Sequence, residues 1–282
     1  MEVRVAGHAG VCYGVERALE LAEEAAESSG RVRTLGPLIH NPQAVLALRE
    51  KGVEVANCLE EVADGTLLIR SHGVDPAIIE AARDKGLDVV DATCPFVSKA
   101  HDAARELQSS EYAVVIIGEA DHPEVEGICA HAGGEAIIVQ DPSELPADLG
   151  ERKVGVVVQT TQSAERLQAV VTAILPRVAE LRVFNTICSA TALRQRSAAE
   201  LAFEVDVMVV VGGHNSGNTT RLAEICAGVN PRTYHVETAE EVDPSWFTDV
   251  GLVGVTAGAS TPDVQMAGVI SAIERLGSSG RA

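Results

Sequence analysis

Short runs of β-branched and aliphatic residues alternate along the whole chain with stretches whose apolar positions recur every three or four residues. That alternation predicts parallel βαβ units. Strands are predicted at Val3–Ala6, Val32–Leu35, Thr66–Ser71, Val89–Ala92, Ala113–Gly118, Ala136–Gln140, Val154–Gln159, Arg182–Asn185, Val207–Gly212, Thr233–Val236 and Leu252–Thr256. Helices are predicted between them, most clearly at Val15–Glu27, Ala77–Asp84, Val97–Leu107, Ala164–Leu175, Thr191–Ala202, Thr219–Ala227 and Val264–Leu276. No Pro/Gly/Ser-rich linker and no low-complexity tract interrupts the series, so any division into domains must come from the spacing of similar units.

One spacing suggests such a division. Cys12, Cys94 and Cys188 each follow a predicted strand and precede a predicted helix, 82 and 94 residues apart. This fits an α/β protein of three small modules with mainly parallel sheets, expected at residues 1–95, 96–187 and 188–282, that share a centre lined by cysteine. In open parallel sheets ligands collect at the carboxyl ends of strands, where all three cysteines fall. Pro95 suits the first turn of a helix and sets Cys94 near its N-cap, where the helix dipole and backbone N–H groups favour a thiolate. No C-x-x-C pair is present, which argues against a zinc ribbon or a thioredoxin-like site. Three distant thiolates suit an iron–sulfur cluster that leaves one iron open to substrate. Cys58, Cys129 and Cys226 lack this setting and read as small buried residues.

Composition narrows the partners. The 282 residues include 22 Lys and Arg against 41 Asp and Glu, a net charge of −19, which argues against nucleic acid and anionic lipid as general partners. Any anionic ligand must therefore be held by a local site. With 46% apolar residues the chain can build real cores, and with 3% aromatics it has little means of stacking on bases. The first residues enter a strand without an export signal, and apolar runs such as Val114–Ile117 fall far short of the roughly 20 residues that span a bilayer. A cytoplasmic protein is expected, with its cysteines reduced or metal-bound.

Donors for an anion recur at strand ends. His40, His72 and His122 stand in Ile39–Pro42, Arg70–Val74 and Ala120–Gly127, each after a strand and beside turn residues. His8 is a fourth candidate, whereas His101, His131, His214 and His235 lack that setting. Gly212–Arg221, with Ser216, Gly217 and Asn218, joins an apolar strand to a helix, and Thr256–Asp263, with Ser260, repeats the design. Helix-start N–H groups and hydroxyl or amide donors make an anion cradle in such loops, while simple helix capping accounts for the same residues. The Lys-Ser/Thr pair of a Walker A loop is absent. Thr160 could present a hydroxyl to a ligand. Glu124, read as a loop carboxylate after His-Pro, could deliver protons.

Nine blocks carry a further resemblance: His8–Val15, Gly36–Pro42, Arg70–Gly73, Asp91–Pro95, His122–Gly127, Gln159–Thr161, Asn185–Cys188, Asn215–Thr219 and Ala257–Ser260. In this order they resemble the 4-hydroxy-3-methylbut-2-enyl diphosphate reductase (IspH/LytB) family nearly end to end. The resemblance implies a trefoil-like arrangement of the three modules around a 4Fe–4S cluster with three ligands, Cys12, Cys94 and Cys188, and one iron open to substrate. It implies an allylic diphosphate substrate held by His40, His72, His122, Ser216, Gly217, Asn218 and Ser260. Thr160 and Glu124 would lie near the allylic hydroxyl, with Glu124 the proton source. Gly217 stands where many members carry a serine, so one hydroxyl is replaced by a backbone N–H. The implied reaction is a two-electron reductive dehydroxylation to isopentenyl and dimethylallyl diphosphates, the last step of the non-mevalonate route. No dinucleotide fingerprint or second cluster motif is present, so the electrons would come from an outside donor such as a ferredoxin or flavodoxin. A metal-dependent phosphohydrolase fits the phosphate loops but leaves the cysteines unexplained. A non-catalytic iron–sulfur carrier would need neither anion cradle nor Glu124.

Overall fold

The computed structural model describes residues 1–149 and 153–279; residues 150–152 and 280–282 of the expected modules lie outside the described residues. Among the described residues twelve strands form three four-stranded sheets in which every neighbouring pair is parallel. One sheet holds β2 (Val32–Leu35), β3 (Val53–Ala56), β4 (Thr66–Ile69) and β5 (Asp88–Asp91) in the order β3-β2-β4-β5. A second holds β6 (Ala113–Ile117), β7 (Ala136–Val139), β8 (Lys153–Val158) and β9 (Glu180–Phe184) in the order β7-β6-β8-β9. In the third, β10 (Val207–Val211), β11 (Thr233–Val236) and β12 (Leu252–Ala257) run β11-β10-β12, and β1 (Glu2–Val5) closes the row beside β12. The first strand thus departs from the expected module 1–95: Glu2 to Val5 lie in register with Leu252 to Val255.

By compactness the chain falls into two units, residues 1–15, 40–44 and 189–282 in one and residues 16–39 and 45–188 in the other. In the first, the period-two alternation of a strand sorts β10 between two cores. Met208 and Val210 face α7 (Ser189–Glu204) and α8 (Gly217–Val229), packing with Ala198, Leu201, Leu222 and Cys226. Val207, Val209 and Val211 face α9 (Asp263–Ser279), packing with Val255, Val269 and Ile273. All five residues of β10 are buried, as expected for a parallel strand covered by helices on both sides.

In the other unit β6 divides in the same way. Val114 and Ile116 pack with Leu107 of α4 (Pro95–Ser109) and Ile128 of α5 (Pro123–His131), and Val115 and Ile117 pack with Val170 and Ile174 of α6 (Ala164–Ile174). Gly155 in β8 admits α4, since a Cβ there would sit 2.3 Å from Leu107 Cδ2. The remaining sheet is covered through Leu35, Leu67, Ile69, Ala82 and Leu87, with α3 (Pro76–Asp84) contributing Ala82.

The eleven expected strands are present, with ends that differ by a residue or two, but β3 was not expected. It is a four-residue edge strand whose middle two residues, Glu54 and Val55, are exposed, so it lacks a distinct apolar run. Two further helices are found, α2 (Pro42–Glu50) and α5. Glu124 is therefore not a loop carboxylate but lies in the first turn of α5. Cys226 is buried as expected, Cys129 is half-buried and Cys58 is exposed. Among the described residues no helix is long and apolar enough to cross a membrane.

Candidate functional site

Each sheet has the strand order second, first, third, fourth, once β1 is counted as the fourth strand of its sheet. The direction of winding reverses between the first and third strands, where ligands bind in open α/β sheets. The candidate residues follow this rule in all three sheets. His40 and His72 follow β2 and β4, His122 and Thr160 follow β6 and β8, and Ser216 and Ser260 follow β10 and β12. The fourth strands β5, β9 and β1 lead to Cys94, Cys188 and Cys12, and each cysteine immediately precedes a helix: α4, α7 and α1 (Tyr13–Ser29).

One hydrogen bond also recurs. The backbone N–H of each cysteine donates to a carbonyl in the loop after the third strand: Cys94 to Ser71 at 3.0 Å, Cys188 to Thr160 at 3.1 Å and Cys12 to Ala259 at 3.1 Å. Every thiol is thereby tied to a donor residue of its own sheet, since Ser71 precedes His72 and Ala259 precedes Ser260. All three cysteines are half-buried. Equivalent, partly accessible thiols at helix starts are a donor set that fits thiolate ligation of iron.

In the unit of residues 16–39 and 45–188, the turn carrying His72 is shaped by Gly73 at φ +74° and by Ser71, whose N–H and hydroxyl both donate to the Leu38 carbonyl. His101 backs this turn: a Cβ at Gly73 would lie 2.4 Å from its Cε1. Burial, with the neighbouring His131, pushes the His101 pKa down to about 3, so the ring is neutral. The His72 and His122 rings meet edge to face with centroids 5.6 Å apart.

His122 is the N-cap of α5, and its Nδ1 accepts the Glu124 N–H at 3.1 Å. A neutral His122 therefore carries its proton on Nε2. Pro123 at the first helical position brings Glu124 into the interior, where it is 2% exposed. Its Oε1 accepts the Thr160 N–H at 2.6 Å and its Oε2 the Thr160 hydroxyl at 2.8 Å. Burial pushes the carboxyl up to about 7 against the two Thr160 hydrogen bonds, and the charge of Glu119 acts in the same direction as burial. A carboxyl poised near neutrality is suited to proton transfer.

In the unit of residues 1–15, 40–44 and 189–282, Ser216 caps α8 by accepting the Thr219 N–H at 3.3 Å, so the capping role is real. Asn218, in the first turn of the same helix, points to a ligand as well: its Nδ2 is buried and donates to no described residue. The Ser260 hydroxyl donates to the His40 carbonyl at 3.1 Å, and Asn41 Nδ2 donates to Gln265 Oε1 at 3.0 Å. Gly258 allows the loops after β10 and β12 to approach, because a Cβ there would lie 2.0 Å from Thr219 Oγ1. Gly217 opens α8, so its N–H is among those at the helix start that have no intrahelical acceptor. His8 is exposed, and its N–H donates to the Ser197 hydroxyl.

Two groups were missed in the sequence. Gln162 and Gln159 hold Glu119 near the Glu124 pocket, with Gln162 Nε2 donating to Glu119 Oε1 at 2.9 Å and the Glu119 N–H donating to Gln159 Oε1 at 3.1 Å. Arg194 is buried, and its Nη2 donates to the Gly10 carbonyl at 2.8 Å. The buried positions of α7, Thr191, Arg194, Ala198, Leu201 and Ala202, have helical spacing, so an arginine in an otherwise small or apolar stripe was the available signal.

Three parallel sheets of one strand order, each followed by a cysteine and by His, Ser or Thr side chains at its strand ends, define an α/β protein built by repetition. The chain belongs to the LytB protein family, whose model matches residues 3–274. It is 53% identical over 276 residues to a 4-hydroxy-3-methylbut-2-enyl diphosphate reductase of Geobacter sulfurreducens, covering 98% of each chain. It is 50% identical over 278 residues to the protein of that name in Geobacter metallireducens, covering 99% of each. A solved structure of (E)-4-hydroxy-3-methyl-but-2-enyl diphosphate reductase, described as the terminal enzyme of the non-mevalonate pathway, is 48% identical with a TM-score of 0.72, over 97% of this chain and 99% of that one. The E-1-hydroxy-2-methyl-but-2-enyl-4-diphosphate reductase of Plasmodium falciparum is 27% identical with a TM-score of 0.88, over 95% of this chain and 86% of the other.

Proposed function

We propose that this protein is the 4-hydroxy-3-methylbut-2-enyl diphosphate reductase of a cytoplasmic non-mevalonate pathway, removing the allylic hydroxyl to yield isopentenyl and dimethylallyl diphosphates. The observation that carries the reading is the threefold recurrence of thiol and donor at equivalent strand ends, combined with one buried carboxyl near neutrality. The diphosphate is bound by imidazole N–H groups of His40, His72 and His122, the hydroxyls of Ser216 and Ser260, the Asn218 amide and the Gly217 N–H. None of these donors is a lysine or arginine, in keeping with an acidic chain that must hold its anion through local geometry.

Cys12, Cys94 and Cys188 would hold a 4Fe–4S cluster with one iron left for substrate. When bound, such a cluster supplies electrons one at a time and Lewis acidity toward the hydroxyl. Glu124 supplies the proton with which the hydroxyl departs as water. Thr160, bonded to both carboxyl oxygens, fixes the carboxyl and offers its own hydroxyl oxygen to orient the leaving group. Two electrons and two protons balance the loss of one water and formation of one C–H bond. The electrons come from an external one-electron carrier such as a ferredoxin or flavodoxin.

The test is turnover of the hydroxy-allylic diphosphate under anaerobic conditions with an artificial one-electron reductant, alongside iron and sulfide analysis. Both isoprenoid diphosphates are expected as products. A protein without acid-labile sulfide that releases phosphate only when given a divalent metal overturns the reading.

A further inference from the structure

Arg194 belongs to neither the diphosphate site nor the proton path. It is 4% exposed and lies within the buried stripe of α7. Its Nη1 donates to the Ala190 carbonyl at 3.3 Å and its Nη2 to the Gly10 carbonyl at 2.8 Å. Ala190 follows Cys188 by two residues in the chain, and Gly10 precedes Cys12 by two. A two-residue span reaches at most about 7 Å, so the guanidinium lies within about 10 Å of the Cys12 backbone.

Resting on the reading that Cys12, Cys94 and Cys188 hold an iron–sulfur cluster, we propose that Arg194 sets the reduction potential of that cluster through its fixed positive charge. A guanidinium cannot lose its proton in a protein, and in a buried setting its field is weakly screened. Reduction of the cluster by an external one-electron donor adds one negative charge, and a nearby positive charge favours the reduced form. The carboxylate of Asp263 also stands near Gly10, where a Cβ would be 3.2 Å from its Oδ1, but Asp263 is exposed and screened by water. Arg194 is thus a positioning and tuning residue: one side chain holds the Cys12 turn and supplies the field.

The experiment is a mediator-coupled anaerobic redox titration of the full-length, cluster-loaded protein, with iron and sulfide measured on each sample. Arg194→Gln is expected to keep iron and sulfide at the wild-type level. At a fixed potential its ratio of reduced to oxidised cluster should fall about tenfold, a shift of about 59 mV to more negative potential for a one-electron couple. Arg194→Lys keeps the charge without the two-pronged geometry and should stay within about twofold of the wild type. A loaded Arg194→Gln protein that titrates like the wild type overturns the proposal alone. So does an Arg194→Lys protein that shifts about tenfold, since the effect would then follow geometry and not charge. If Arg194→Gln does not load, Arg194→Met, equally uncharged, is titrated on the same criterion. A wild-type protein without iron and sulfide overturns the cluster reading and the proposal together.

Discussion

Glu124 shows how its surroundings change the chemistry of one side chain. A solvated glutamate would be ionised at neutral pH and a poor acid, whereas this one is buried and keeps its proton up to about pH 7. Because it donates only when protonated, kcat should be full below that value and decline as pH rises through it, a limb that a pH–rate profile will show. Glu124→Gln should retain wild-type iron and sulfide while turnover falls by about 100-fold or more, the usual scale of lost general acid catalysis. Thr160→Val deletes one of the two hydrogen bonds that hold the carboxyl pKa down, so the alkaline limb should move to higher pH; a limb that stays in place would show that Glu124 does not govern it. The sequence singled out Glu124 but misjudged its setting. His122-Pro123 has the composition of a loop, whereas His122 is an N-cap and Pro123 the first helical residue.

At the scale of elements, close approaches set by glycine separate stability from binding. Gly155 and Gly258 are both places where a Cβ would collide, with Leu107 in the core and with Thr219 beside the proposed anion donor Asn218 respectively. Gly155→Ala and Gly258→Ala should each cost about 1 to 3 kcal/mol in urea unfolding, the usual penalty for overpacking. Only Gly258→Ala should also raise the KM for the diphosphate. The long strands and helices were legible because β6, β10 and their flanking helices carry unbroken apolar patterns. The short α2 and α5 and the edge strand β3 were not: buried Glu124 and Gly127 interrupt the apolar face of α5, and β3 has two exposed central residues. Candidate site residues were legible wherever a strand ended in Cys, His or Ser. Arg194 and Gln162 were not, because their importance lies in contacts with residues remote in the chain.

For the whole molecule, the repetition is one of backbone and not of side chains. The sequences around Cys12, Cys94 and Cys188 differ too much to announce a repeat, yet each cysteine follows a fourth strand and donates its N–H to the same kind of carbonyl after a third strand. Equivalent suspension predicts equivalent loss: serine at any one of the three positions should deplete iron and sulfide to a similar extent, measured after anaerobic reconstitution. A serine variant that loads fully would remove that cysteine from the ligand set. The place of β1 has a further consequence for biogenesis. Glu2 is synthesised about 250 residues ahead of its partner Leu252. Until β12 is synthesised, β1 has no neighbour to pair with, and the N–H of Cys12 has no Ala259 carbonyl to reach. A nascent chain therefore holds Cys12 unanchored until Ala259 has been made, and the proposed cluster site can take its final geometry only after β12 and the loop that follows it have left the ribosome.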